Sequence, residues 1–268
     1  MPLAVCATPI GNLDDVTLRV LEELRSADVV LCEDTRHTRV LLDRHGISTR
    51  LLSYHEHNEA QRTAELLPRL AAGERMALVS DAGLPGISDP GARLVAAALD
   101  AGTPVTVLPG PSAVETALVA SGLAAARYQF VGFLPRGAKA LRTLWEELSR
   151  WPHPVVAFES PRRLPATLRS LANADPERAV AVCRELTKKF EQVERGSAAD
   201  VAAQFTEPPK GEITLVLGPG SAGGAADTEA AVVAVGELVT FGLPRRQAAD
   251  VVARLTGAAR NELYRRTL

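Results

Sequence analysis

Aromatic residues make up only 4% of this 268-residue chain, so its interior has to be filled by Leu, Val and Ala. No uncharged apolar stretch approaches the roughly 18 residues that a membrane span needs. The opening MPLAVCATPIGN lacks the basic start and small-residue cleavage site of an export signal, so a soluble, cytoplasmic protein is expected. Its three cysteines, Cys6, Cys32 and Cys183, each sit inside a short apolar run. An odd count without close spacing argues against a disulfide framework and a zinc cluster, and leaves buried free thiols. No G-x-G-x-x-G follows the first strand pattern and no Walker A sequence occurs, which disfavours dinucleotide and P-loop sites.

What is present is an ordinary globular balance, 46% hydrophobic and 23% charged. At about 150 residues per domain the length suggests two domains. Short β-branched runs at 3–7, 28–32, 48–53, 75–80, 104–108, 128–133, 154–158, 179–184 and 213–217 alternate with amphipathic segments such as 17–27. Gly46, Gly73 and Gly102 follow helical stretches and read as C′ residues. This alternation predicts an α/β fold with largely parallel pairing. The stiff LPGPSA places a boundary near 110, giving α/β domains at 1–110 and 111–220. The Gly/Ala/Ser-rich 221–228 reads as a linker to a helical domain at 229–268, with a helix break near Gly257.

In open α/β sheets ligands bind beyond the carboxyl ends of the strands. The segments that follow the predicted strands are rich in Gly, Pro, Asp and Arg: TPIGNLDD, EDTRHTR, SDAGLPGISDPG, PGPSA, LPRG, ESPRR and ELTKK. The third holds three glycines and two prolines, a rigid loop whose amides can face a ligand. Asp81 at its start reads as a ligand contact; Asp89 at its end reads equally as a contact or a helix N-cap. His55 and His57 lack a nearby third ligand and read as lining a cleft or solvated turn, with no metal expected.

The net charge of −2 hides a local +4 over 242–268, where six arginines face Asp250 and Glu262. Arg36, His37 and Arg39 follow the second strand, Arg162 and Arg163 the seventh, and Lys188 lies in ELTKK. A charge run is most often a solvated helix start. Two such runs at one end of a sheet point to an anionic substrate, and Arg suits bidentate phosphate contacts. In the tail, Arg245, Arg246, Arg265 and Arg266 read as phosphate contacts; the blander alternative is a docking helix pair.

The strings ATPIGNLDD, LCEDTRHT, SDAGLPGISDPG, LPGPSA, FLPR, FESPRR and KGEITLVL, in this order across residues 7–217, closely resemble the tetrapyrrole-methylase-like (class III) methyltransferases. Within that superfamily they are similar to the branch that methylates small-subunit ribosomal RNA, whose small C-terminal helical domain the tail also resembles. The resemblance implies 2′-O-methylation of a cytidine ribose in 16S rRNA with S-adenosylmethionine as donor. It also implies a homodimer of two α/β domains with the donor in the cleft between them. Pro9, Asp81, Ile87, Ser112 and Ala113 would contact the donor, with Phe158 and Thr214 from the second domain.

Methyl transfer from a sulfonium needs orientation above all, which rigid Gly/Pro loops supply. A ribose hydroxyl is a poor nucleophile and needs help with its proton. Asp34 and Glu159, each directly after a strand, are the candidates for that task, with Arg36 positioning phosphate or sugar. A small-molecule methylase of the same superfamily would share the donor site but has no need of the Arg-rich tail. A non-catalytic RNA-binding protein would need no such loop chemistry.

Overall fold

The computed structural model describes residues 2–220, 225–256 and 258–268, with the backbone alone at 225–227. The chain divides into two compact units, one of Met1–Ala120, Cys183–Val193 and Gly211–Thr214, the other of Ser121–Val182, Glu194–Lys210 and Leu215–Leu268.

Five strands of the first unit form a sheet: β1 (Leu3–Cys6), β2 (Val29–Cys32), β3 (Leu51–Ser53), β4 (Met76–Leu78) and β5 (Val105–Leu108). Their order is β3-β2-β4-β1-β5, and every neighbouring pair is parallel. Helices α1 (Leu18–Ser26), α2 (Thr35–Arg44), α3 (Glu59–Ala71), α4 (Ala92–Asp100) and α5 (Ala113–Ala120) make the connections. Successive side chains of a strand point to opposite faces, and the core separates accordingly. Ala4, Cys6, Val30, Cys32 and Ala77 pack with Val20, Leu24 and Leu42. Leu3, Val5, Val29, Leu31, Met76 and Leu78 pack with Leu66, Leu70 and Leu94. A parallel sheet covered on both faces explains why the strands read as short continuous apolar runs.

The expected helix stops hold. At the end of α2, Gly46 has φ 63°; its N–H donates to Asp43 O at 3.2 Å and that of Ile47 to Leu42 O at 2.9 Å. This is a Schellman closure, and Gly73 and Gly102 end α3 and α4 the same way. All three cysteines are buried thiols in no disulfide, and burial pushes the Cys6 thiol up to about 12.

The second sheet has the order β6-β7-β10-β8-β9, from β6 (Gln129–Phe133), β7 (Val155–Glu159), β8 (Ala179–Arg184), β9 (Gln192–Ser197) and β10 (Ile213–Leu217). Helices α6 (Ala138–Ser149), α7 (Leu164–Ala174) and α8 (Ala198–Gln204) accompany it. Strand β9, QVERGS, was not expected. It lies at the sheet edge with no residue fully buried, so the apolar pattern that betrays an inner strand is missing.

The tail forms α9 (Ala225–Thr240), α10 (Arg245–Thr256) and α11 (Arg260–Arg266), joined through Ala231, Val235, Ala248, Ala249, Val252 and Leu263. Helix α9 opens at Ala225, four residues before the expected start at 229, so the last part of the expected linker is helical. The rest of that linker, 221–224, and the expected break at Gly257 lie outside the described residues. No helix among the described residues is long and apolar enough to cross a membrane.

Candidate active site

Strand order fixes where a ligand can enter. The chain leaves β2 towards β3 and leaves β4 towards β5, in opposite directions across the sheet. A crevice opens where outgoing connections diverge. The two loops at that point begin with Glu33-Asp34 and Ser80-Asp81, and the Asp34 N–H donates to Asp81 Oδ1 at 3.3 Å. The loop after β1 joins them: Thr8 Oγ1 donates to Ser80 O at 3.0 Å, and Thr8 and Gly83 exchange backbone hydrogen bonds of 2.9 and 3.1 Å.

Two cavities open here. One, of about 510 Å³, is lined by Glu33, Asp34, Arg36, His55, His57 and Asp81 among others. The smaller, of about 100 Å³, is lined by Thr8, Pro9, His37, Thr38, Ser80 and Asp81 among others. Asp81 stands in both walls. The two histidines line the larger cavity as expected, with ring centroids 5.9 Å apart.

Asp34 is the N-cap of α2: its Oδ1 accepts from the Arg36 N–H at 2.8 Å. Arg36 folds back to donate Nε to Oδ1 and Nη2 to Oδ2. The side-chain bond from Arg36, followed by its backbone bond, holds the Asp34 carboxyl well below the usual range. Glu33 goes the other way. Burial, then the neighbouring Asp81, pushes its carboxyl up. Burial and the charges of Glu33 and Asp81 push Asp89 up to about 6. Asp89 is not a cap; Gly91 takes that position before α4.

Residues 2–202 match the family model of tetrapyrrole (corrin/porphyrin) methylases, and 225–268 that of the RsmI C-terminal HTH domain. Ribosomal RNA small subunit methyltransferase I of Mesorhizobium japonicum is 45% identical, over 99% of this chain and 91% of its own. The protein of the same name from Synechocystis is 43% identical, over 99% and 97%. The chain belongs to the family of ribosomal RNA small subunit methyltransferase I. Solved structures below 25% identity share its fold. A conserved hypothetical protein of Aeropyrum pernix K1 aligns at TM-score 0.64 and 18% identity, over 99% of this chain and 94% of that one. Uroporphyrin-III C-methyltransferase of Thermus thermophilus, complexed with S-adenosylhomocysteine, aligns at 0.58 and 20%, over 81% and 96%.

For a member of this methyltransferase family, the first unit brings most of the expected donor residues to the carboxyl ends of its strands. Pro9 and Asp81 share a cavity. Ile87 is half exposed on the loop after β4. Ser112 donates its hydroxyl to Glu115, and its carbonyl accepts from Thr116 N–H at 3.1 Å to start α5. Just before it, a Cβ on Gly110 would stand 2.9 Å from Ala7 Cβ, so backbone segments meet there without room for a side chain. Thr214 is buried in β10. Phe158 belongs to the second unit, its ring 5.0 and 5.4 Å from those of Phe130 and Phe133.

Several expected contacts have other tasks. Glu159 is buried: its Oε2 accepts from Thr167 Oγ1 at 2.5 Å and pairs with Arg163 at 3.2 Å, and its Oε1 accepts from Ser160 N–H at 2.7 Å. A carboxylate so enclosed serves its own loop and does not face a substrate hydroxyl. Arg163 is taken up as well, donating to Leu134 O at 3.0 Å and Pro135 O at 2.6 Å, whereas Arg162 is exposed. Lys188 pairs with Glu185 of its own loop and with Glu212 at the entry to β10, at 3.0 and 2.9 Å, so its charge is spent on these two carboxylates. That loop docks on the first one, the Asn12 N–H donating to Thr187 Oγ1 at 3.0 Å, with Glu185 and Thr187 in the left-handed region. In the tail, Arg266 pairs with Glu229 at 2.6 Å and Arg260 with Asp250, while Arg246 is exposed; Arg265 is exposed and its Nε donates to Asn261 O at 3.3 Å.

Sequence reasoning passed over Glu33. The signal was there, a second carboxylate beside Asp34, but only the fold shows which of the two is tied to an arginine.

Proposed function

We propose that this protein transfers a methyl group from S-adenosylmethionine to the 2′-oxygen of a cytidine ribose in 16S rRNA of the small ribosomal subunit. The observation that carries the reading is the near-full-length identity to the two named relatives. The carboxylate-lined crevice at the strand ends adds to it, and the helical module at 225–268 favours RNA over a tetrapyrrole.

When bound, S-adenosylmethionine supplies a methyl group carried on a positively charged sulfur. The chain's residues suit such a cation. Glu33, Asp81 and Asp89 gather negative charge at one end of the first sheet, and opposite charges attract more strongly where water is partly excluded. Pro9, Asp81, Ile87, Ser112 and Ala113, with Phe158 and Thr214, are assigned to holding the donor.

Arg36, oriented by Asp34, presents donors for sugar or phosphate from the wall of the larger cavity. Its tight pairing makes Asp34 a weak base, because a carboxyl held so low gives little driving force for taking a proton. Glu33 lines the same cavity with its carboxyl pushed up, and it is the better matched acceptor for the 2′-hydroxyl proton. His37, Arg39 and Arg162, with Arg245, Arg246 and Arg265 of the tail, are assigned to the RNA backbone, while Arg266 is taken up by Glu229. The working form is a homodimer in the cytoplasm.

The test offers purified protein and isotope-labelled S-adenosylmethionine three acceptors: unmodified small subunits, naked 16S rRNA and a tetrapyrrole precursor. Label on one cytidine 2′-oxygen is expected. Label on the tetrapyrrole, or none on either RNA, would overturn the reading.

A further inference from the structure

Residues 116–145 contain Arg127, Arg136, Lys139 and Arg142 and not one Asp or Glu. The run begins in the end of α5; in the second unit, from Ser121, it becomes β6, the loop after it and the first two turns of α6. Lys139 and Arg142 are exposed, on the side of α6 away from the buried Leu141, Trp145 and Leu148, and Arg136 is exposed just before the helix. Arg162 joins them from the next loop, because Arg163 ties Leu134 O and Pro135 O to the SPRR segment. Among the described residues, none of Arg136, Lys139, Arg142 and Arg162 is in an ion pair.

An aromatic ring stands among these charges. The β6–β7 pairing slips register between Phe130 and Phe133, with Gly132 at φ 67°. Bulges of this kind re-aim a side chain, and Phe133 ends 63% exposed. One face of the ring has a neighbour, Phe158, at 5.4 Å edge to face. Phe190 and Phe241 are as open or more so, and each exposed ring gives up hydrophobic burial; what sets Phe133 apart is the cations around it.

We infer that Phe133, Arg136, Lys139, Arg142 and Arg162 form an RNA-docking surface, in which Phe133 stacks on an unpaired base and the cations hold the flanking phosphates. This rests on the reading of RNA as the substrate. Proteins that grip single-stranded RNA combine stacking rings with basic side chains in this way. A second copy of the chain fits the surface poorly. A two-fold interface is built from the same surface of both copies, so these cations would need acidic partners that residues 116–145 do not contain.

The test measures binding of full-length protein to a fluorescent 16S rRNA fragment over a range of salt, with methylation kinetics alongside. Phe133→Ala is expected to weaken binding about 5- to 100-fold, with Phe133→Tyr close to wild type. Arg136→Ala/Lys139→Ala is expected to lower the slope of log K against log salt by about 1.5, as for two lost phosphate contacts. Affinity for S-adenosylhomocysteine and the melting temperature should hold in all variants. Unchanged RNA affinity and slope, in protein that is folded and methylates RNA as wild type, would overturn the inference alone. Loss of self-association with an unchanged slope would also overturn it and assign the face to a second copy. Failure of the wild type to methylate any RNA would instead bring down the reading beneath it.

Discussion

Arg36 grips both carboxylate oxygens of Asp34, Nε to Oδ1 at 3.1 Å and Nη2 to Oδ2 at 2.7 Å. The arginine side chain is 90% exposed, so the pair is a pre-aimed cation in the wall of a cavity that also holds Glu33, Glu56 and Asp81 beside His55 and His57. Two neighbouring carboxylates acquire opposite properties, Asp34 held low by Arg36 and Glu33 pushed up by burial and Asp81.

Glu33→Gln should therefore cut turnover by about 10²- to 10⁴-fold, the usual range for loss of a general base. Donor affinity should fall as well, because Glu33 is part of the negative charge that suits the donor's cation. Asp34→Asn should act mainly through a loosened Arg36, raising KM for RNA more than it lowers kcat. Single-turnover methylation of small subunits checks both. Near wild-type turnover in Glu33→Gln would remove it as proton acceptor.

Asp81 lines both cavities and also accepts the Asp34 N–H. Asp81→Asn keeps an acceptor in place and removes the charge. Calorimetry should show S-adenosylmethionine binding weakened at least tenfold, about 1.4 kcal/mol, with a smaller loss for a donor analogue that lacks the positive sulfur. Equal losses for the two ligands would mean that charge is not what Asp81 supplies.

Asp89 gives a pH signature. Its carboxyl is raised from 3.8 to about 6 in the folded chain, chiefly by burial. The folded state then keeps its proton where the unfolded state has lost it. That contribution favours folding below about 4 and is lost as pH rises through about 6. Asp89→Asn should leave the melting temperature nearly unchanged at pH 4 and raise it at pH 7.5, by about 1 to 2 kcal/mol of stability after allowing for solvent screening. A gain confined to the acid side would contradict the assignment.

The tail arginines should divide by their partners. Arg246 and Arg254 are exposed with no ion pair among the described residues, whereas Arg260 and Arg266 face Asp250 and Glu229. Arg246→Ala/Arg254→Ala should reduce the salt slope of rRNA binding by about 1 to 2. Arg260→Ala/Arg266→Ala should instead lower the melting temperature of the helical module. The reverse pattern would show that the internal pairs open on RNA.

Much of the site could be read directly from the strand-end segments. Pro9, Asp34, Arg36 and Asp81 all line the two cavities, since the chain must turn at the carboxyl end of each parallel strand and turns are where Gly, Pro and Asp accumulate. Glu159 and Lys188 occupy equally prominent places in the sequence and are consumed by partners at Thr167, Arg163, Glu185 and Glu212. Strand β9 escaped notice because an edge strand needs no apolar alternation, and Phe133 because a bulge sets its direction.

The sequence by itself determined the α/β alternation, the helix stops at Gly46, Gly73 and Gly102, and the family, since these depend on local preference and on the order of uncommon strings. Only the tertiary structure decided which of two adjacent carboxylates is paired and which is pushed up, and which cations are left for RNA. A side chain's charge is set by its residue type, but its proton affinity and its availability are set by neighbours brought close by strand order, as Asp81 is to Asp34 across 47 positions of chain.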